Sequence, residues 1–496
     1  MPDKTFTYDV GDVAGLHRRI QAAGGTPELP FDRIELERVE VGPDVLPRLP
    51  AALAGLGHGA GPVQVVTDTT GILRDGVPLK PHIRDLLAGA GYEPIPIELA
   101  PGSDGLVHAS SDRVAELRDR LDAALPVVIV GSGTITDIAK HACLALDDDQ
   151  PGRRIPLVSV ATANSVVAYS SKLAVISVDG VKRTTLSRLP QVVLCDTTLL
   201  AGAPLELTRS GMGDIAAMYT AFPDWRLACV LGLDDWDTAT WEVLTDVRAH
   251  FAPWAAEMGA GTEAGTEVLA KLLTLCGLAM TYAGDSAPLS GYEHVNGHVL
   301  DMTAEHAGRA TALHGAQVGV ATLPCSIAQV ELLAIDPAGV DVDACYPDEA
   351  AMEAVVRDAF TSVDPTGAMA DECWRDYRTK LAAWRDARPR FEALLADWDA
   401  ERTRIAGLTI PPAEVATVLA AAGHPLRYEE LSPSIPEAEG RWAFAHAHLM
   451  RKRITSGDLL HFLGRFGDRF IDSVFATAET LRTEATVKEA ADAPRR

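Results

Sequence analysis

Four side chains that lie far apart in the chain have the chemistry of a divalent-metal site: Asp214 in SGMGDIAAMY, His294 and His298 in SGYEHVNGHVLDM, and His314 in TALHGAQVGV. One carboxylate with two imidazoles can hold a cation while leaving coordination positions open, which is what Lewis-acid catalysis requires. His294 and His298 are four apart, so on a helix they share a face; either both bind the ion, or one binds it while its neighbour touches the substrate. A lone histidine is more often a packed core or surface residue, and only the clustering sets these apart.

A second element could receive a dinucleotide. Gly131-Ser132-Gly133-Thr134 directly follows the apolar run PVVIV and opens a helical pattern, offering unpaired helix N–H groups and bare glycine backbone to a pyrophosphate. It departs from G-x-G-x-x-G, since Thr136 stands where the third glycine would be, and a tight strand-to-helix turn explains it equally well. Asp68 closes the run PVQVVTD, where a carboxylate can accept hydrogen bonds from an adenosine ribose and disfavour a 2′-phosphate, so NAD is expected over NADP. An aspartate after a strand is also a common helix cap.

Other polar groups read as structural. His446 and His448 in HAHLMRKR are two apart, point away from each other on a helix and adjoin basic residues, so they read as a solvated or anion-facing surface. Asp147-Asp148-Asp149 reads as a solvated helix end. No GxSxG, HExxH or GxxxxGK[ST] element occurs, which removes the footing for hydrolase and P-loop readings.

The elements that must position these groups follow from apolar patterning. With 496 residues the chain is long enough for two domains. Residues 1–30 carry Gly and Pro interruptions without a sustained period and read as an extension. Over 31–200, PVQVVTD, EPIPIEL, PVVIVG, IPLVSVATA and QVVLCDTTLL read as buried strands, alternating with helical patterns such as HIRDLLAGAGY, SDRVAELRDRLDAAL and TITDIAKHACLAL. That grammar predicts an α/β domain with a parallel sheet covered on both faces. KLAVISVDGVKRTTL reads as a hairpin with Asp179-Gly180 at its turn. Over 201–480 long helical patterns such as GTEVLAKLLTLCGLAMTYAG and WRDYRTKLAAWRDARPRFEALLADWDAERTRIAG predict an all-α domain, and 481–496 reads as a polar tail that frays.

Composition narrows the partners. A net charge of −25 would repel a phosphate backbone and leaves no polybasic stripe for anionic lipid, so neither nucleic acid nor membrane is expected. The seven cysteines lack CxxC spacing and read as reduced core residues; no uninterrupted apolar run reaches membrane-spanning length, and the N-terminus has no signal pattern, so a cytoplasmic location is expected. An assembly of identical copies stays open.

Taken in order, VVTDTT, VGSGTITDIAKHA, SVATANSVVAYSSKLAV, VDGVKRTT, LPQVVLCDTTLLAGAPLELTRSGMGDIAAMYTAFPDWRLA, MTYAGDSAPLSGYEHVNGHVLDM, HGAQVGV and MRKRITSGDLLHFLG resemble segments of the iron-containing alcohol dehydrogenase and dehydroquinate synthase superfamily. Within it the chain is most similar to the sn-glycerol-1-phosphate dehydrogenases, from about residue 31 to about 465. The resemblance implies a dehydroquinate synthase-like fold, with an α/β nucleotide-binding domain before an all-α domain. It implies that Gly131, Ser132, Gly133, Thr134, Thr162, Ser165 and Ser171 contact the dinucleotide. It also implies that Asp214, His294 and His314 bind a catalytic ion, usually zinc, with nickel or iron as alternatives, while His298 lies close to the substrate.

The expected activity is hydride transfer between NAD, or NADP, and a small polyol or polyol phosphate, with the ion holding the substrate oxygen. His298 is a candidate proton relay, and Lys182 or Arg183 could hold an anionic group of the substrate, although basic loop residues are often plain surface charges. One departure matters: Ser165-Val166-Val167-Ala168 stands where the family generally shows S-x-D-G, so Val167 replaces a substrate-facing aspartate. That leaves room for a second reading, an NAD-dependent cyclase forming cyclitol-like rings from sugar phosphates. A non-catalytic nucleotide-binding scaffold is the third, disfavoured by survival of the whole ligand set.

Overall fold

The computed structural model describes residues 2–102, 105–150, 152–178 and 181–492. Packing divides the chain into two compact units: one comprises Met1–Val178, Lys182–Met212 and Asp237–Ser286, the other chiefly Gly213–Trp236 and Ala287–Arg496. The helices Thr238–Gly259 and Glu263–Ala283 thus pack with the sheet rather than with the helices that follow them.

The first unit holds ten strands: β1 Arg38–Gly42, β2 Gly61–Asp68, β3 Leu73–Arg74, β4 Val77–Pro78, β5 Tyr92–Leu99, β6 Val127–Gly131, β7 Leu157–Ala161, β8 Leu173–Val178, β9 Val181–Leu186 and β10 Val192–Asp196. Six of them form a parallel sheet in the order β1-β10-β7-β6-β2-β5, and β3-β4 and β8-β9 are separate two-stranded ribbons. Four of the runs read as buried strands, β2, β6, β7 and β10, form for the reason given by their composition, whereas EPIPIEL is the edge strand β5 and exposes Glu93, Ile95, Pro96 and Glu98. Alternate residues of β6 serve opposite layers: Val128 and Val130 join a core with Leu46, Leu79 and Ile83, while Val127 and Ile129 join one with Leu117, Ile135 and Ile138. A strand with both faces covered has no polar side, hence the unbroken VVIV.

Several expectations need correcting. The RVEVG segment is strand β1, paired in parallel with β10 at the sheet edge, and sequence patterning gave it no place. The first thirty residues contain the helix Val13–Ala22, which buries Val13, Leu16 and Ile20 and is capped by Asp12, whose side chain accepts from the Gly15 N–H. That segment is tied down within the same unit: Tyr8 N donates to Asp246 at 3.0 Å and Trp254 Nε1 to the Asp3 carbonyl at 3.0 Å. The Asp179-Gly180 turn lies outside the described residues; β8 and β9 flank it, and Lys182 and Arg183 sit on β9 rather than in a loop.

The second unit is helical throughout its described residues. The long pattern from Trp374 divides into three helices, Ala368–Asp386, Arg388–Ala396 and Trp398–Ala406; Pro389 falls in the first turn of the middle one, where its missing N–H costs nothing. The stretch from 481, expected to fray, continues the helix Asp468–Asp492 and buries Arg482 and Ala485. His448 is no surface residue: it lies on the short turn Ala447–Leu449, is 5% exposed and meets the His461 ring at a tilt with 4.5 Å between ring centroids. Burial pushes its imidazole well below the usual range, so the ring is neutral.

Two helices, Glu263–Ala283 and His314–Leu333, are long and apolar enough to cross a membrane, yet 83% of each apolar window is buried within the chain. They are core helices, apolar all round because they are surrounded. All seven cysteines are free, six of them buried.

The Asp147-Asp148-Asp149 run is also not simply a solvated helix end. Asp147 pairs with Arg188, their side chains being 11% and 1% exposed, and accepts the Ile155 N–H at 2.8 Å. Replacing one partner leaves a buried charge uncompensated. Asp147→Asn is therefore expected to lower the unfolding free energy by about 3 kcal/mol, read from the midpoint of a urea transition, whereas Asp149→Asn at the exposed end leaves it within about 0.5 kcal/mol.

Candidate functional site

In the first unit, the strand order places a reversal between β2 and β6: the chain runs from β2 outward to β5 and then returns to the other side of β2. Open parallel sheets bind ligands at the carboxyl ends of strands at such a reversal. β2 ends at Asp68 and β6 at Gly131, and the pairing of Val66 with Ile129 brings these two ends level. The helix Gly133–Asp149 starts immediately, with Ser132 as its N-cap and no side chain bonded to the first-turn N–H groups. Both glycines are sterically required. A Cβ on Gly131 would lie 2.6 Å from Ile135 Cβ, and one on Gly133 would lie 2.3 Å from Val166 Cγ2.

The segment from Thr162 to Ser171 closes around this turn. Thr162 N donates to the Gly131 carbonyl at 3.4 Å, and Tyr169 Oη donates to the Ala163 carbonyl at 3.0 Å and reaches that of Gly131 at 3.4 Å. Thr162, Ser165 and Ser171 are all buried; the Ser171 hydroxyl accepts the Leu173 N–H at 3.1 Å and is committed to its own turn. Val167, at the position of the lost aspartate, is half-buried.

Sequence reading missed what holds this segment. Lys140, fully buried, donates to the carbonyls of Ala168, Ser171 and Leu173 at 2.8, 2.9 and 2.9 Å and pairs with Asp137 at 3.0 Å. Its position on TITDIAKHA was visible, but its acceptors come from a loop about thirty residues on. Asp68 is likewise engaged. Its carboxylate accepts from Thr70 N at 3.0 Å and Thr70 Oγ1 at 2.8 Å, and lies 3.2 Å from Lys80 Nζ. The acid offered as a ribose acceptor thus carries a cation beside it, which weakens the argument against a 2′-phosphate.

In the second unit the expected ligand set assembles. Asp214 comes from the helix Leu205–Ala216, His294 and His298 from Tyr292–His306, and His314 opens His314–Leu333. One ligand atom from each of Asp214, His294 and His314 lies within 4.8 Å of the others, and among the described residues the only other such group is His298, Asp301 and His314. His294 Nε2 is 3.3 Å from Asp214 Oδ1. The His298 and His314 rings stack at 4.8 Å, and those of His294 and His314 meet edge-on at 5.5 Å. Close helix packing sets the spacing: a Cβ on Gly213 would fall 2.1 Å from the Gly315 carbonyl, and one on Gly319 would fall 2.9 Å from Gly213 Cα. Asp214 and His314 follow and precede those glycines directly.

The donor set fits a divalent cation. It combines a carboxylate with two imidazoles, one of them fully ordered by hydrogen bonds, in a buried setting where uncompensated charge is costly. Glu293, which sequence reading passed over, accepts from His294 Nδ1 at 2.9 Å. Without the ion, a proton does the cation's work. Burial acts to lower the His294 imidazole, but its hydrogen bonds to Asp214 and Glu293 outweigh that and raise it to about 9.

The chain thus combines a parallel sheet that carries a glycine turn at its switch point with helices that bring Asp214, His294 and His314 together. Residues 40–204 match the family model described as iron-containing alcohol dehydrogenase. The chain is 30% identical over 236 residues to a glycerol-1-phosphate dehydrogenase [NAD(P)+] of Bacillus velezensis, a match covering 48% of this chain and 55% of that one. It is 36% identical over 226 residues to the protein of the same name from Halorubrum lacusprofundi, covering 45% and 61%. The matches therefore span little more than half the length of these curated relatives. The fold is shared with glycerol dehydrogenase from Schizosaccharomyces pombe, at a TM-score of 0.52 and 17% identity over 90% of each chain.

The His294 shift carries a pH dependence. Its folded value lies above the ordinary 6.5, so the stability it lends the metal-free protein is complete below about pH 6.5 and is lost as pH rises through 9. The melting temperature of chelator-treated protein is expected to fall across that window, with a shallower fall in His294→Gln. Because a cation must displace that proton, zinc affinity should rise over the same range in titrations of the wild type.

Proposed function

We propose that the chain is a metal-dependent, NAD(P)-linked dehydrogenase of a small polyol or polyol phosphate. The observation that carries the reading is the convergence of Asp214, His294 and His314 on one point from three helices. The matched segments of the glycerol-1-phosphate dehydrogenases and the switch-point glycine turn support the same conclusion.

Asp214, His294 and His314 would hold the divalent ion, for which zinc, nickel or iron(II) suits this donor set. When bound, the ion supplies Lewis-acid polarisation of a carbinol or carbonyl oxygen, and the dinucleotide supplies the hydride acceptor or donor. The chain's own groups do the rest. The first-turn N–H groups of Gly133–Asp149 receive the pyrophosphate, and Lys140 keeps the Thr162–Ser171 segment shaped against that turn. His298 takes up or returns the substrate hydroxyl proton at its imidazole. Lys182 on β9 offers a cation for an anionic substrate group. Asp68, flanked by Lys80, supports use of either dinucleotide.

One observation favours a second reading. The apolar Val166-Val167 pair leaves the Ser165–Ala168 turn without the carboxylate expected there, and a cyclase of the dehydroquinate synthase type, turning over bound NAD, would select a differently decorated substrate. The two differ in stoichiometry. A dehydrogenase changes one nicotinamide per product, followed by absorbance, and a cyclase shows no net change. Asp214→Ala and His294→Ala are each expected to lose bound metal by elemental analysis and to lower kcat at least about 1000-fold, as removal of a main transition-state charge stabiliser does. Near-normal turnover without bound metal would reject the assignment.

A further inference from the structure

We propose that Glu293 and Asp301 are positioning residues that fix which nitrogen of His294 and of His314 faces the cation. The inference rests on the metal-centre reading above and deepens it.

An imidazole that binds a cation uses one ring nitrogen, and the partner of the other nitrogen sets both tautomer and ring plane. His294 points Nε2 at Asp214 Oδ1, 3.3 Å away, and Nδ1 at Glu293 Oε1, 2.9 Å away. Glu293 cannot swing. It is fully buried, its Oε1 also accepts the Gly291 N–H at 2.7 Å, and its Oε2 accepts the Thr220 hydroxyl at 2.6 Å. The Thr220 carbonyl is held in turn by Gln329 Nε2 at 2.7 Å.

His314, on another helix, has a looser counterpart. Its Nδ1 lies 3.4 Å from Asp301 Oδ2 without forming a hydrogen bond, and Asp301, 1% exposed, accepts from Gln317 Nε2 at 2.7 Å through its other oxygen. Gln317 also donates to the Ala312 carbonyl at 2.9 Å, so it too is fixed. Gly297 leaves the space: a Cβ there would come within 3.2 Å of His314 Cε1. A single helix, Tyr292–His306, therefore carries a ligand and the carboxylates standing behind two ligands. These anions also strengthen the imidazoles as donors. In the competing arrangement Asp301 itself coordinates, with His298 and His314.

The test uses the full chain, stripped by chelator and reloaded with Co2+, with affinity measured by competition against a chromogenic chelator and the site followed by its visible absorption. Glu293→Gln and Asp301→Asn keep side-chain shape and remove the charge. Each is expected to weaken Co2+ binding about 10- to 100-fold while retaining one ion per chain, with altered absorption bands. Asp214→Asn is expected to lose stoichiometric binding. Wild-type affinity and spectrum in both charge-removing variants would overturn the inference, as would loss of the ion from Asp301→Asn together with its retention in Asp214→Asn. If Glu293→Gln does not fold, Gln317→Leu frees Asp301 alone, and unchanged Co2+ affinity there overturns the role of Asp301. A wild-type chain that takes up no Co2+ would instead refute the metal centre itself.

Discussion

Taking a carboxylate out of water costs several kcal/mol even after the surroundings relax, so a fold that buries several must give each a partner. The second unit buries Asp214, Asp224, Glu293 and Asp301. Asp224 accepts from Gln329 Nε2, Ser456 N and Tyr292 N, all at 2.9 Å, yet burial and then the nearby Glu293 raise its carboxyl to about 7. Three helices and the segment leading into a fourth are drawn together by this requirement. The His294 imidazole, raised by its hydrogen bonds to Asp214 and Glu293, is the counterpart that offsets part of this acid.

The first unit solves a related problem with the opposite sign. An ammonium at Lys140 is placed where only backbone carbonyls and Asp137 can meet it, and three carbonyls of one loop turn inward to do so. Asp137 in turn accepts the Val175 N–H at 3.1 Å, at the start of β8. Helix, loop and ribbon are thus joined through a single buried charge, and the loop it shapes is the one lying on Gly131 and Gly133.

Much of this was legible in the residues. Parallel strands covered on both faces must be apolar throughout, so β2, β6, β7 and β10 declared themselves, as did the helices between them. β1 did not, because an edge strand reading Arg-Val-Glu-Val-Gly has half its side chains in partial contact with solvent and resembles a loop. The Asp214, His294 and His314 group, which the structure brings together, was legible from its residue types and from the family-like segments that carry it. The buried groups nearby were not: Glu293 stands in the first turn of a helix, where an acid is common, and nothing close to Asp301 or Lys140 in the chain marks either as a buried, paired group. Each is committed by groups distant in sequence, and patterning within a window cannot see them. His448 shows the same blindness, its neighbours His461 and Phe466 lying more than a turn of helix further along the chain.

The sheet-containing unit is discontinuous: its last helix, Glu263–Ala283, follows an excursion, Gly213–Trp236, that belongs to the other unit. Asn164 Nδ2 bonds the Thr266 carbonyl at 3.0 Å, and Lys172 N bonds Thr281 Oγ1 at 2.9 Å, so the loop beside the glycine turn is completed by this late segment. On a ribosome the chain must emerge past residue 286 before its first folded body can close. The two cores against the sheet are built from residues 45–199 and can form in the meantime, so it is the loop beside the glycine turn, rather than the sheet, whose bracing depends on the order of synthesis.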